Sequence, residues 1–111
     1  MLLLEAGIDP LIHMSYVPSR YLFKDQHISK VIIPNSIHRI GALAFAKCKV
    51  ETIEMPNSII EIVALAFANN QQPITINYAG TKTDWNNIKK DASWNNDSDI
   101  TVHTSDSTLT Y

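Results

Sequence analysis

The sequence is short of the residues that most often carry chemistry or cross-links. One cysteine, Cys48, stands in 111 residues, so no internal disulfide can form and no second thiol can share a metal, and a reducing compartment is the simpler expectation. Glycine is scarce as well, with 3 residues, and Gly80-Thr81-Lys82-Thr83 lacks the earlier glycine of the G-x-x-x-x-G-K-S/T pattern. Without it there is no nest of backbone N–H groups for a phosphate. Charged residues make up 18% of the chain and hydrophobic residues 45%, a balance that excludes a disordered polar chain. No hydrophobic run approaches the roughly 18 residues of a membrane span. Met1-Leu2-Leu3-Leu4 opens like a signal peptide, but no basic residue precedes it and Glu5 and Asp9 interrupt the apolar run, so a soluble cytoplasmic protein is expected.

The missing pieces extend to recognisable active sites. The histidines, His13, His27, His38 and His103, are scattered and none has a metal-ligand spacing. Asp97, Asp99 and Asp106 lack the glycine and terminal glutamate of a calcium loop. Cys48 falls at the end of a repeat unit, where packing explains it better than nucleophilic attack. No enzyme, cofactor or metal site is therefore expected. The net charge of -2 supplies no general attraction to nucleic acid or to an anionic membrane. It is unevenly spread, because residues 20–49 hold Arg20, Lys24, Lys30, Arg39, Lys47 and Lys49 against Asp25 alone, whereas residues 91–111 hold Asp91, Asp97, Asp99 and Asp106 with no lysine or arginine.

What the chain does have is a repeat. Residues 33–48, IPNSIHRIGALAFAKC, align without gaps on residues 55–70, MPNSIIEIVALAFANN. The match extends upstream, pairing Ile28 with Val50 and Val31 with Ile53. One step back puts Phe23 under Phe45 and Phe67, and one step forward reaches Pro73-Ile74-Thr75-Ile76. A period of about 20 to 29 residues is that of leucine-rich-repeat solenoids, in which every unit gives one strand to a shared parallel sheet. Alternation turns Val31 and Ile33 into the stack and Lys30 and Ile32 out of it. Pro34 ends the strand because it has no N–H for the ladder, and Asn35-Ser36 makes the turn. On the return, Ile37 and Ile40 face inward, Ala42-Leu43-Ala44-Phe45 suits one helical turn, and the alanines let Phe45 and Phe67 fill the interior. A helical hairpin would place Pro34 and Pro56 inside helices, which proline breaks.

Solenoid ends cannot be buried by repetition and need a different structure over them. Leu2 to Leu4, Ile8, Leu11, Ile12 and Met14 supply an apolar N-terminal cover. At the other end Thr81 has the spacing to cap a helix with Asp84, Trp85 and Ile88 share a face of that helix, Trp94 follows as core, and residues 100–103 alternate like a closing strand. The expected architecture is a single α/β domain: a short leucine-rich-repeat-like solenoid of short parallel strands plus single-turn helices, with an N-terminal cap (1–16), a degenerate repeat (17–27), two repeats (28–49 and 50–72) and a C-terminal capping module (73–111).

The unit Ile28-x-x-Val31-x-Ile33-Pro34-Asn35-Ser36-Ile37-x-x-Ile40-Gly41-x-x-Ala44-Phe45-x-x-Cys48 resembles the BspA-type leucine-rich repeat, and residues 78–88 with Trp94, Val102 and His103 are similar to the module that often closes such arrays. Asn70 departs from the cysteine usual at its station, and Thr104 and Ser107 stand where the closing module tends to have cysteine and glycine, so the resemblance implies no thiol chemistry. It implies a binding protein. Many family members are long bacterial surface proteins that adhere to host matrix or cells, and short ones are expected on phage and other mobile elements, where small inhibitors of host enzymes are common.

For function, the outward strand positions Lys30, Ile32, Thr52, Glu54, Thr75 and Asn77 form a ladder on the concave face, where solenoids bind. Apolar Ile32 beside Lys30 and Glu54 has the centre-and-rim composition of a protein interface. The expectation is a non-catalytic module that takes a protein partner, in its most concrete form a phage or mobile-element inhibitor of a host enzyme. Bacterial adhesion, a homo-oligomeric structural role and, less favoured, nucleic-acid binding through residues 20–49 are the alternatives.

Overall fold

A computed structural model describes residues 16–17 and 24–111. The N-terminal cover, and Phe23 as a third stacked phenylalanine, lie outside the described residues. Within them the chain coils, and each coil gives one short and one long strand. The short strands β1 (Tyr16–Val17), β3 (Arg39–Ile40), β5 (Glu61–Ile62) and β7 (Lys89–Lys90) form one parallel sheet in that order. The long strands β2 (His27–Ile32), β4 (Lys49–Met55), β6 (Ile74–Tyr78) and β8 (Ile100–His103) form a second, which β9 (Thr108–Thr110) closes in antiparallel fashion. The repeat sets the register: Ile28 lies beside Val50, Val31 beside Ile53 and Ile32 beside Glu54.

The inward alternation holds. Val31, Ile53 and Ile76 are buried in one row, and Ile37, Ile40 and Ile62 close the core from the returning limb. Pro34 and Pro56 follow the long strands, and the turns after them are tied across coils by Ser58 Oγ donating to the Ile37 carbonyl at 2.7 Å. The returning limb departs from the expected single-turn helix in two ways. It contains the short strands, and residues 42–47 form consecutive turns in which Ala44 N–H donates to Gly41 and Ala46 N–H to Leu43 at 3.2 and 3.1 Å. Neighbouring coils outcompete the helix for the remaining backbone groups, since Phe45 N–H donates to Ala66 and Lys47 N–H to Ala68 in the next coil. An i→i−4 helix would forfeit those bonds.

The turns require left-handed backbone at Leu43 and Leu65 (φ 64° and 60°), and again at Asp25, Lys47, Asn69 and Asp97, with φ from 51° to 59°. For leucine this costs on the order of 1–2 kcal/mol. Packing offsets it: Ala44, Ala46, Ala66 and Ala68 are fully buried, and their small side chains bring Phe45 and Phe67 into a stack with ring centroids 5.1 Å apart.

One buried polar side chain is built into this interior. Asn70 donates from Nδ2 to the carbonyls of Phe45 and Phe67, both at 2.9 Å, and its Oδ1 accepts from Cys48 N–H at 2.8 Å. Cys48 holds the same station one coil earlier, its Sγ 3.2 Å from the Phe45 carbonyl, and Ser98, one coil later, donates to the Phe67 carbonyl. The station closes the turn by donating to a carbonyl, and three residue types fill it.

The last coil carries the one α-helix of the described residues, α1 (Lys82–Asn87). Thr81 and Asp84 form the expected capping box, Thr81 Oγ1 accepting from Asp84 N–H and Asp84 Oδ2 from Thr81 N–H at 3.1 and 3.0 Å. Trp85 is fully buried and stacks edge-on with Tyr78 and Trp94, while its Nε1 donates to Tyr111 OH at 2.7 Å. Lys90 Nζ sits 4.8 Å from the Trp85 ring centroid and donates to the Trp85 and Ile88 carbonyls at the end of α1. Desolvation holds its ammonium below the ordinary lysine value.

Candidate protein-binding face

The six outward residues singled out from the sequence lie in two adjacent rows on the long-strand sheet. Lys30, Thr52 and Thr75 are successive partners in one row, and Ile32, Glu54 and Asn77 in the other. Parallel pairing in register is what assembles them, because the same strand position recurs at every coil about 4.8 Å further along. Ile32 is 39% exposed, one of the few large apolar side chains left in water among the described residues. Glu54 Oε2 accepts from Asn77 Nδ2 at 2.6 Å, which fixes the carboxylate in the plane of the row.

The rows are longer than the sequence reading made them. Thr101 continues the first and His103 the second, and β9 adds Thr110 beside Thr101 and Thr108 beside His103. His103 Nδ1 lies 3.1 Å from Thr108 Oγ1. The alternation of residues 100–103 carried the signal for the first two, while their assignment to an end module kept them out of the ladder. The resulting face grades from Lys30 and Ile32 at one edge, through Glu54, to a hydroxyl-rich edge of Thr75, Thr101, Thr108 and Thr110.

The short-strand sheet presents a different surface. Arg39, Glu61 and Lys89 are consecutive partners there, with Arg39 Nε 2.7 Å and Lys89 Nζ 3.9 Å from the Glu61 carboxylate. These charges are satisfied by one another, and with Arg39 and Lys89 exposed and Glu61 half-buried they contribute little to stability. Ile60, 63% exposed, stands beside them.

Among the described residues, which do not include His13, groups with catalytic potential are not brought together. Cys48 is buried, and desolvation pushes its thiol above the usual value, which removes the thiolate a nucleophile needs. His27 pairs with Glu51 at 3.2 Å, His38 lies against the Ser58 carbonyl, and His103 is on the long sheet. Thr81, part of the sequence that superficially suggested a phosphate loop, is occupied as a helix cap. Among the described residues no group of three or more His, Cys, Asp or Glu side chains is placed to hold a metal ion, and no helix is long and apolar enough to cross a membrane.

Two parallel sheets wound as one coil, with a register of recurring outward residues, define a solenoid repeat protein. The chain belongs to the family of BspA-type leucine-rich repeat regions, whose six-copy model matches residues 18–111. Comparison with curated proteins and with solved structures returned no match. The family points to a protein-interaction module.

Proposed function

We propose that the chain is a non-catalytic protein-binding module whose long-strand sheet takes the partner, and that it acts by occupying a surface the partner needs. In its most specific form the partner is a host enzyme and the outcome is steric or competitive blockade. The observation that carries this reading is the placement of exposed Ile32 between Lys30 and Glu54 on a sheet face with no other exposed large apolar side chain among the described residues: an apolar contact with a charged rim suits a protein surface, and a rigid sheet loses little entropy when it docks. An adhesive role would use the same face toward a surface-bound partner.

Affinity capture tests the face. A partner retained by the native protein is expected to be lost with Ile32→Asp combined with Glu54→Lys and kept with Ile60→Asp on the other side of the coil. Undiminished retention by the first variant rejects this face. Addition of the protein to the captured enzyme then separates blockade from bare association, since blockade requires activity to fall as the complex fills.

A further inference from the structure

We propose that a second copy of this chain docks antiparallel along the corner that precedes each long strand, giving a weak two-fold homodimer centred on Asn69. The corner is built from one recurring station, the left-handed residue Asp25, Lys47, Asn69 and Asp97 of successive coils, and from the residues two positions on. The first coil has Asp25 with His27, and from the second coil on the two stations read Lys47 with Lys49, then Asn69 with Gln71, then Asp97 with Asp99. All six side chains of these three later coils are exposed. The coils are tied at this corner by backbone bonds, Lys47 N–H to the Ala68 carbonyl and Asn69 N–H to the Asn96 carbonyl at 3.1 and 2.8 Å, so the charges are held in fixed order on a rigid edge.

That order is positive, neutral, negative, at about 4.8 Å per coil. Such a strip is complementary to itself when reversed. A two-fold axis through the neutral coil brings Lys47 and Lys49 of each copy against Asp97 and Asp99 of the other, and sets Asn69 against its own copy, where two amides can exchange hydrogen bonds and a charge would repel itself. Neither aspartate has a salt bridge among the described residues. The basic half is concave: Asp25, Lys47, Cys48, Lys49, Asn69 and Gln71 line a groove of about 520 Å³. The acidic half is open to solvent, with Asn96, Asp97 and Asp99 exposed. Asp25 and His27 have no opposite coil under this pairing, and Asp25, which lines the groove with Lys47, offsets part of its charge without reversing the sign set by Lys47 and Lys49 together. The strip is narrow, so the dimer is expected to be weak and governed by salt.

Sedimentation or light scattering on the native protein should show dimer at roughly 20 mM salt that dissociates by roughly 0.5 M. Lys47→Glu with Lys49→Glu alters both ends of a two-fold contact at once, as does Asp97→Lys with Asp99→Lys, so each variant alone should associate at least about tenfold more weakly. Mixing the two variants should restore a dimer, because an all-acidic strip then meets an all-basic one. A native protein monomeric at low salt, a dimer indifferent to either reversal, or no heterodimer on mixing overturns the proposal, and the first of these would hand the groove to an acidic partner of another kind. Should reversal at the left-handed positions disturb folding, seen as a lowered melting temperature, Lys49→Glu and Asp99→Lys carry the same exchange from ordinary backbone positions. The binding face on the long-strand sheet plays no part in the outcome.

Discussion

The two near-identical coils and the coil that follows them solve one packing problem with different residues. In the first pair, Phe45 and Phe67 stack and leucines hold the strained turn; in the last, Trp94 packs edge-on against Phe67 with centroids 5.7 Å apart, and Asp91 holds the turn by accepting from Ser93 N–H and Oγ at 3.0 and 2.8 Å. The backbone nevertheless repeats. Phe67 N–H donates to Trp94 as Phe45 N–H does to Ala66, and left-handed Asp97 succeeds Asn69 and Lys47. Helix α1 enters by lengthening a connection, which moves the partner of Glu61 out to Lys89 without disturbing either sheet. A coil is thus defined by its stations for backbone hydrogen bonds and buried volume, and identity of side chain is one way among several of meeting them.

Removing volume from the shared interior is the strongest way to break that equivalence. Phe67 is fully buried between Phe45 on one side and Trp94 on the other, so Phe67→Ala is expected to cost about 3 to 5 kcal/mol and to melt both kinds of coil together. Phe45→Ala should come close to it. Two separated transitions in a denaturant titration, one for each kind of coil, would mean that the last coil is an independent lid and not a continuation of the stack.

Next in size is the donor station. Asn70→Ala leaves Cys48 N–H buried without an acceptor and takes a donor from two carbonyls, for an expected loss of about 2 to 4 kcal/mol at unchanged m-value. Asn70→Cys should recover part of it, since Cys48 already serves the Phe45 carbonyl in the previous coil. Equal losses in the two variants would show that the amide oxygen, which thiol cannot replace, carries the whole effect.

Much of this was legible in the chain. The period, the inward set Val31, Ile33, Ile37 and Ile40, the stacked phenylalanines, the capping box at Thr81 and both tryptophans as core follow from repetition and periodicity, because each depends on side-chain type. The outward rows through Thr75 and Asn77 were legible for the same reason. What escaped depends on the backbone. A helical turn and a pair of tight turns both favour small and apolar residues at positions 42–45, and only the competing carbonyls of the next coil decide between them. Asn70 read as a lapse from the family's cysteine because its replacement role needs three backbone partners, none adjacent in sequence. Thr101 and His103 were missed as face residues since the helix insertion hides their offset from Thr75 and Asn77.

The insertion itself offers a smaller test, at the turn that launches it. A Cβ on Gly80 would come 2.7 Å from Tyr78 Cε2 and 2.9 Å from Asp84 Oδ2, so the side chain that caps α1 or the ring beneath it must shift. Gly80→Ala is expected to cost about 1 to 2 kcal/mol, with the loss falling on the last coil. Unaltered amide-exchange protection of residues 82–87 would indicate that the Tyr78 ring moves aside and the cap survives.

The smallest expected effect is the most specific to the last coil, because it titrates. Asp106 Oδ1 accepts from Lys82 N–H at the first turn of α1 at 2.9 Å and from Thr104 Oγ1 at 3.1 Å. These bonds, the backbone one first, hold its carboxyl below the ordinary aspartate value of 3.8. A folded-state pKa lower than the unfolded one stabilises fully above the unfolded value and loses that contribution as pH falls through the folded value. Asp106→Asn is therefore expected to lower the melting temperature slightly at neutral pH, with the gap to the native protein closing as acid protonates Asp106. Exposure keeps the effect small. Asp91, held below its usual value by Ser93, should behave alike in Asp91→Asn, whereas the long-strand pairs of the two near-identical coils contain no such hydrogen-bonded aspartate. A gap that persists unchanged below pH 3.8 would locate the loss in the geometry of the amide and not in the charge at the helix N-terminus.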